Sequence, residues 1–189
     1  MEHHRRSIRF PGFDYSSQGA YFITLCTHHH QCIFGQVEQD RVRLNATGQI
    51  VESCWNDISK HFAHARLDYS AIMPNHIHGI ILLVGAQHAV PFPDGHASQF
   101  GKLQADSIAA IIRAFKAAST RAVNLLQGTP GAPFWQRNYF ERIIRDEDEI
   151  FRIREYIHYN PRRWALDHEN PERQSIEPPE PMPWEIPMD

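Results

Sequence analysis

A chain of 189 residues with a formal charge of −3 suits one folded domain with appendages, and so even a balance excludes a polycationic coat as the means of meeting nucleic acid. Its three cysteines, Cys26, Cys32 and Cys54, are odd in number and lack Cys-x-x-Cys spacing, which argues against a disulfide framework or a thiolate zinc site and for a reducing, cytoplasmic setting. No apolar run approaches the roughly 18 residues of a membrane helix, and no signal-peptide region comes after the N-terminus, so neither insertion nor export is expected.

The opening His3-His4-Arg5-Arg6-Ser7-Ile8-Arg9 is basic and reads as an extended arm whose arginines either touch phosphate or are simply solvated. Residues 20–27 are aromatic or apolar at nearly every position, the composition of a strand buried on both faces. His28 to His30 with Gln31 reads as a polar surface loop rather than a second metal site. Residues 37–44 alternate weakly around Gln39-Asp40 as a small hairpin. Asn45-Ala46-Thr47 then offers a helix cap, after which Ile50, Val51, Cys54, Trp55, Ile58 and Phe62 recur at helical steps, predicting one amphipathic helix of about four turns.

Residues 66–73 form the next strand, and Pro74-Asn75 turns it into an antiparallel neighbour that begins His76-Ile77-His78 and continues as an apolar run to Val84. In a strand, positions i and i+2 share a face, so His76 and His78 point one way and Ile77 the other. A chain with thirteen histidines places some side by side by chance. Two unpaired imidazoles in so apolar a strand nevertheless cost free energy, which a shared metal ion or a hydrogen-bonded site would offset.

Residues 85–101 read as a long loop. Asp106-Ser107 can cap the next helix, which buries Ile108, Ile111, Ile112 and Phe115 and carries Arg113, Lys116 and Arg121 on other faces. Those cations can track a phosphate backbone or form an ordinary solvated surface. Residues 134–145 mix aromatics with arginines, Arg137 among them, a pattern that fits base stacking and equally fits a strand over 139–144 with core aromatics.

Asp146 caps the last helix, and Glu149 is placed to complete a capping box. Ile150, Ile153 and Ile157 form its buried stripe, and Pro161 ends it near Asn160. At about 100° per residue Tyr156 and Asn160 lie one turn apart on one side, whereas Tyr159 looks toward solvent and His158 falls away from Tyr156. The Asn160 carbonyl could complete a metal site begun by His76 and His78, with Tyr156 as a phenol nucleophile beside it. A single tyrosine at the edge of a core is the ordinary alternative.

Met-Pro-Asn-His-Ile-His at 73–78 resembles the HUH motif, and Glu-Tyr-Ile-His-Tyr-Asn-Pro at 155–161 resembles the tyrosine-helix signature of REP-associated tyrosine transposases, single-tyrosine members of the HUH transposases. The likeness runs from Arg5 to about Trp164 and includes Tyr21-Phe22-Ile23-Thr24 and residues 134–139. It implies an α+β, ferredoxin-like domain over 1–164, an antiparallel sheet with helices on one face and the histidines on a central strand. It further implies a single-strand DNA endonuclease and strand transferase. His76, His78 and Asn160 would hold Mg²⁺ or Mn²⁺, and Tyr156 would attack the scissile phosphate to leave a 5′-phosphotyrosine and a free 3′-hydroxyl. The implied substrate is a single-stranded hairpin of a repetitive extragenic palindrome, met by a monomer in preference to a dimer that exchanges tyrosine helices, with Arg5, Arg6, Arg9, Arg113, Lys116 and Arg137 as the candidates for holding it. A catalytically silent hairpin-binding module and a hydrolase of another phosphodiester are the alternatives. Residues 165–189, acidic and rich in proline, are expected to be a tail, disordered or draped over the DNA groove.

Overall fold

The structure is a computed structural model that describes residues 18–84 and 107–173. Arg5, Arg6, Arg9, the 85–101 segment and the proline-rich end of the chain fall outside these residues. In chain order the elements are β1 (Gly19–Cys26), a hairpin of β2 (Gly35–Glu38) and β3 (Arg41–Leu44), α1 (Ala46–Asn56), α2 (Ile58–His61), β4 (Ala65–Ile72), β5 (His76–Leu83), α3 (Ile108–Gln127), β6 (Phe140–Ile144) and α4 (Glu147–Tyr159). β4, β5, β1 and β6 pair in that order as one antiparallel sheet. With the small hairpin set aside, strand, helix, strand, strand, helix, strand in this order is the ferredoxin-like arrangement.

β1 and β5 are central and apolar on both faces, so each face needs a cover. Tyr21, Ile23, Ile77 and Ile81 pack against Trp55 of α1 and Ile111 of α3. Phe22, Ile80 and Ile144 face the other way and meet Ile153 and Ile157 of α4. The expectation of helices on one face therefore holds for α1 and α3 only. α4 covers the opposite face, because alternation along β1 and β5 leaves a second apolar surface that the other helices cannot reach.

Local chemistry explains most element ends. The Asn45 side-chain oxygen Oδ1 accepts from the Gly48 N–H at 3.0 Å, and the Ser107 hydroxyl accepts from the Ala110 N–H, starting α1 and α3. The single four-turn helix expected after Asn45 is broken at Asp57, whose carboxylate takes the Lys60 ammonium at 2.6 Å as the chain restarts in α2. At α4 the Asp146 carboxylate caps the Glu149 N–H at 2.7 Å, but Glu149 does not return the bond. Its buried carboxylate accepts instead from the Arg145 N–H, one residue ahead of the cap, and from Arg142 Nε, both at 2.8 Å, because the cation on β6 stabilises a carboxylate out of water. Phe134 and Trp135 are buried, and Trp135 Nε1 donates to the Ser119 hydroxyl at 2.9 Å, so these aromatics belong to the core rather than to a base-stacking surface.

Gly79 is the one glycine in the central strands that close packing demands. A Cβ there would lie 2.2 Å from the Trp55 ring. We expect Gly79→Ala to lower unfolding free energy by about 1–3 kcal/mol, the usual cost of overpacking a filled core, measured by denaturant titration. An unchanged midpoint would mean that Trp55 can step aside.

Candidate active site

β5 enters the sheet with both imidazoles on the α4 face, His76 opposite Cys26 and His78 opposite Thr24 of β1. Both rings are buried. Nδ1 of His76 lies 2.8 Å from Oδ1 of Asn75, and since a carbonyl oxygen can only accept, Nδ1 carries the proton and Nε2 the lone pair. That Nε2 is buried without a hydrogen-bond partner. His78 sets Nδ1 2.9 Å from the Thr24 hydroxyl and Nε2 3.3 Å from the Tyr156 hydroxyl. Burial, reinforced by His30, pushes the His76 pKa down to about 3, and burial together with His76 holds His78 well below the ordinary value. Both rings are thus neutral, the form in which imidazole binds a metal.

α4 supplies the remaining groups as helical geometry predicts. Phe22 stacks on His78 with centroids 5.4 Å apart and meets Tyr156 edge-on at 6.2 Å, which fixes the phenol beside the imidazole. Tyr159 is at the surface beneath the guanidinium groups of Arg162 and Arg163. His158 pairs with the Tyr69 hydroxyl at 2.6 Å, away from the site. Pro161 ends the α-helix, yet the chain continues as a 3-10 helix over Asn160–Leu166, so the boundary expected at Trp164 falls inside an element.

The residue just past that 3-10 helix is one that sequence reasoning misses. Asp167 turns back beneath Asn160 with its side chain 1% exposed, accepts from Asn160 Nδ2 at 2.7 Å, and lies 3.9 Å from Nε2 of His76. One donor atom from each of His76, His78 and Asp167 falls within 4.8 Å of the others. Oδ1 of Asn160 is buried and unpartnered. Two orphaned acceptors and a buried carboxylate are costly unless a cation faces them, so the residues fit a divalent metal held by His76, His78 and Asp167, with Asn160 Oδ1 in reserve. Nitrogen and oxygen donors of this kind suit several metals. In the sequence Asp167 offers no signal beyond being an acid seven residues past Asn160, in a stretch with the composition of a tail. Asn75, which the sequence presents as a turn residue, is a second omission: its Nδ2 donates to the carbonyls of His30 and Glu169 while its Oδ1 holds His76.

The proposed cations behave differently. Arg113, Lys116 and Arg137 line a cavity of about 940 Å³ between α3 and the 130–139 segment, in the helix layer across the sheet from the histidines. Lys116 is half-buried and donates to the carbonyls of Gln136 and Arg137 at 2.5 and 3.3 Å, and its burial lowers its pKa. The structure gathers His76, His78, Tyr156 and Asn160 and leaves these three basic residues elsewhere.

No family model matches the chain. An uncharacterised protein of Haemophilus influenzae is 39% identical to it over 168 residues, spanning 87% of this chain and 92% of the relative. Among solved structures, a REP-associated tyrosine transposase bound to a REP hairpin superposes with a TM-score of 0.55 at 18% identity, covering 87% of this chain and 74% of the other. At that identity the likeness is one of fold. Among the described residues no helix is long and apolar enough to cross a membrane.

The burial of His76 and the position of Asp167 each give a measurable outcome. The unfolded chain protonates His76 near 6.5 whereas the folded chain resists until about 3, so this group's contribution is intact above 6.5 and is lost at about 1.4 kcal/mol per pH unit below it. In chelator, acid unfolding of His76→Gln should therefore show a shallower pH dependence than that of the parent, read from denaturant midpoints across the range. Asp167→Asn keeps the polar shape but not the charge, and should weaken Mn²⁺ binding by about tenfold or more, measured by calorimetry; equal affinity would remove Asp167 from the ligand set.

Proposed function

Because the chain belongs to one family with the Haemophilus influenzae protein, and takes the fold of a tyrosine transposase, we propose that it is a metal-dependent single-strand DNA endonuclease and strand transferase acting on hairpin DNA. One observation carries this reading: a phenol, that of Tyr156, stands 3.3 Å from a buried neutral imidazole whose neighbours His76 Nε2 and Asn160 Oδ1 have no protein partner. A core-boundary tyrosine with a purely structural role does not need orphaned metal-ligating atoms around it.

In the proposed reaction Tyr156 Oη attacks phosphorus, the bond to the leaving 3′-oxygen breaks, and the 5′-phosphate is carried on tyrosine. The phenol gives up its proton and the leaving 3′-oxygen takes one, and attack by a 3′-hydroxyl on the phosphotyrosine reverses the step and joins strands. A phosphodiester is present throughout, so no nucleotide cofactor is consumed. His76, His78 and Asp167, with Asn160, would hold Mg²⁺ or Mn²⁺, which would supply Lewis acidity at the scissile phosphate and favour the ionised phenol. Thr24 and Asn75 keep the two imidazoles turned toward that point, and Phe22 limits the movement of both His78 and Tyr156. The catalytic domain in this reading extends at least through Asp167.

The hairpin in the structural neighbour supports a hairpin of repeated palindromic DNA as substrate. In this reading Arg5, Arg6 and Arg9 hold its phosphates, Arg113 and Arg137, across the sheet from the histidines, meet only a part of the hairpin remote from the scissile bond, and Lys116 contributes field more than direct contact because main-chain carbonyls occupy its ammonium.

The deciding experiment incubates the full chain with Mn²⁺ and a labelled single-stranded hairpin oligonucleotide and resolves covalent adducts on a denaturing gel. We expect an adduct that disappears in Tyr156→Phe, in His76→Ala and in chelator, and survives in Tyr159→Phe. Adduct persisting in Tyr156→Phe would move the nucleophile elsewhere, and hydrolysis without any adduct would make the protein a phosphodiesterase of another kind.

A further inference from the structure

Across Asn75 from the histidine pair lies a second group of ligating side chains that the proposed reaction does not use. Cys26 ends β1 and is buried, with the Glu169 carboxylate beside its thiol. The 3-10 turn His28–His30 comes next, with His29 and His30 at φ of 56° and 53°, a left-handed conformation that side-chain-bearing residues seldom adopt and that calls for compensation from the surroundings. The turn brings His30 Nδ1 to 2.9 Å from Glu169 Oε2. The Gln136 amide meets the other ring nitrogen, where its oxygen, turned toward an Nε2–H, would orient the ring for ligation through Nδ1. One donor atom each from Cys26, His30 and Glu169 lies within 4.8 Å of the other two.

We propose that Cys26, His30 and Glu169 form a second metal site, for a thiophilic divalent ion of the zinc class, which pins the turn that carries Asp167 into the first site. Sulfur, imidazole and carboxylate are the donor set that zinc accepts, and bonds of about 2.0–2.3 Å to a tetrahedral ion place donors roughly 3.3–3.8 Å apart, within about an ångström of the present spread. The first site offers nitrogen and oxygen alone, so the two differ in metal preference. They share a support: Asn75 donates to the main-chain carbonyls of both His30 and Glu169 while fixing His76, and Glu169 is two residues from Asp167, whose Oδ1 accepts the Glu169 N–H. Loading releases the thiol proton to solvent, moves the His30 Nδ1 proton to Nε2 with the Gln136 amide oxygen turned toward it, and replaces the His30–Glu169 contact by a common cation. The thiolate comes from a single cysteine and the other ligands from distant sequence, which is why cysteine spacing alone argues against such a site.

The test uses the full chain, stripped with chelator and titrated with Co²⁺ alone. A near-ultraviolet thiolate-to-cobalt charge-transfer band is expected, saturating at one ion per chain, displaced by Zn²⁺, retained in the double variant Cys32→Ser/Cys54→Ser and lost in Cys26→Ser. Metal-free unfolding midpoints establish that each variant folds. Absence of the band, or its persistence in Cys26→Ser, overturns the site and leaves a hydrogen-bonded latch without metal. For the pinning, Zn²⁺ should slow amide exchange over residues 167–170 by about tenfold or more in His76→Ala, where the first site is disabled, and not in His76→Ala/Cys26→Ser. A cobalt band with no such slowing would leave a metal site but reject its control of the turn.

Discussion

One side-chain amide, that of Asn75, sets the chemical state of the site. Its carbonyl oxygen accepts a hydrogen bond from the Nδ1–H of His76, which leaves the Nε2 lone pair aimed into the buried space shared with Asp167, and its amide nitrogen holds the main chain at His30 and Glu169. The residue is wholly buried, so none of these bonds competes with water, and the loss of one would leave an unsatisfied polar group in the interior. The tautomer of an imidazole and the path of the chain near its end are thereby fixed by the same amide group.

The sheet divides labour between its faces. The larger cluster, with Trp55, Ile111 and Phe115 over β1 and β5, is the bulk of the hydrophobic core. The smaller cluster around Phe22, Ile80 and Ile157 fastens α4, which is further tied by the Arg142–Glu149 and Arg154–Asp68 ion pairs. α4 is held by the smaller of the two clusters, and it carries Tyr156. Stability and chemistry are thus placed on opposite sides of the same two strands.

Much of this is legible in the sequence because it depends on short-range periodicity. The alternation at His76-Ile77-His78 and the helical spacing of Tyr156, Asn160 and Tyr159 each report a direction that only neighbouring residues decide. The rest requires tertiary contact. Spacing alone makes Glu149 the return partner of its own cap, but the cation on β6 that claims it lies outside any local window. Asp167 joins His76 only because a 3-10 helix folds the chain back beneath Asn160, and nothing in an acidic, proline-rich stretch marks where such folding stops. The break at Asp57 escapes for the opposite reason: the apolar spacing continues undisturbed through it.

The close approach of Trp55 to Gly79 acts as a key for strand register. Side chains on a strand alternate, so a slip of β5 by a single residue would carry both imidazoles into the Trp55 layer and put Ile77 where the ligands stand. Only a glycine fits against that indole, and the neighbours on either side in β5 are His78 and Ile80. Every shifted pairing therefore meets a steric barrier before it can form, and a missing side chain on the packing face guards the identity of the atoms on the reactive one.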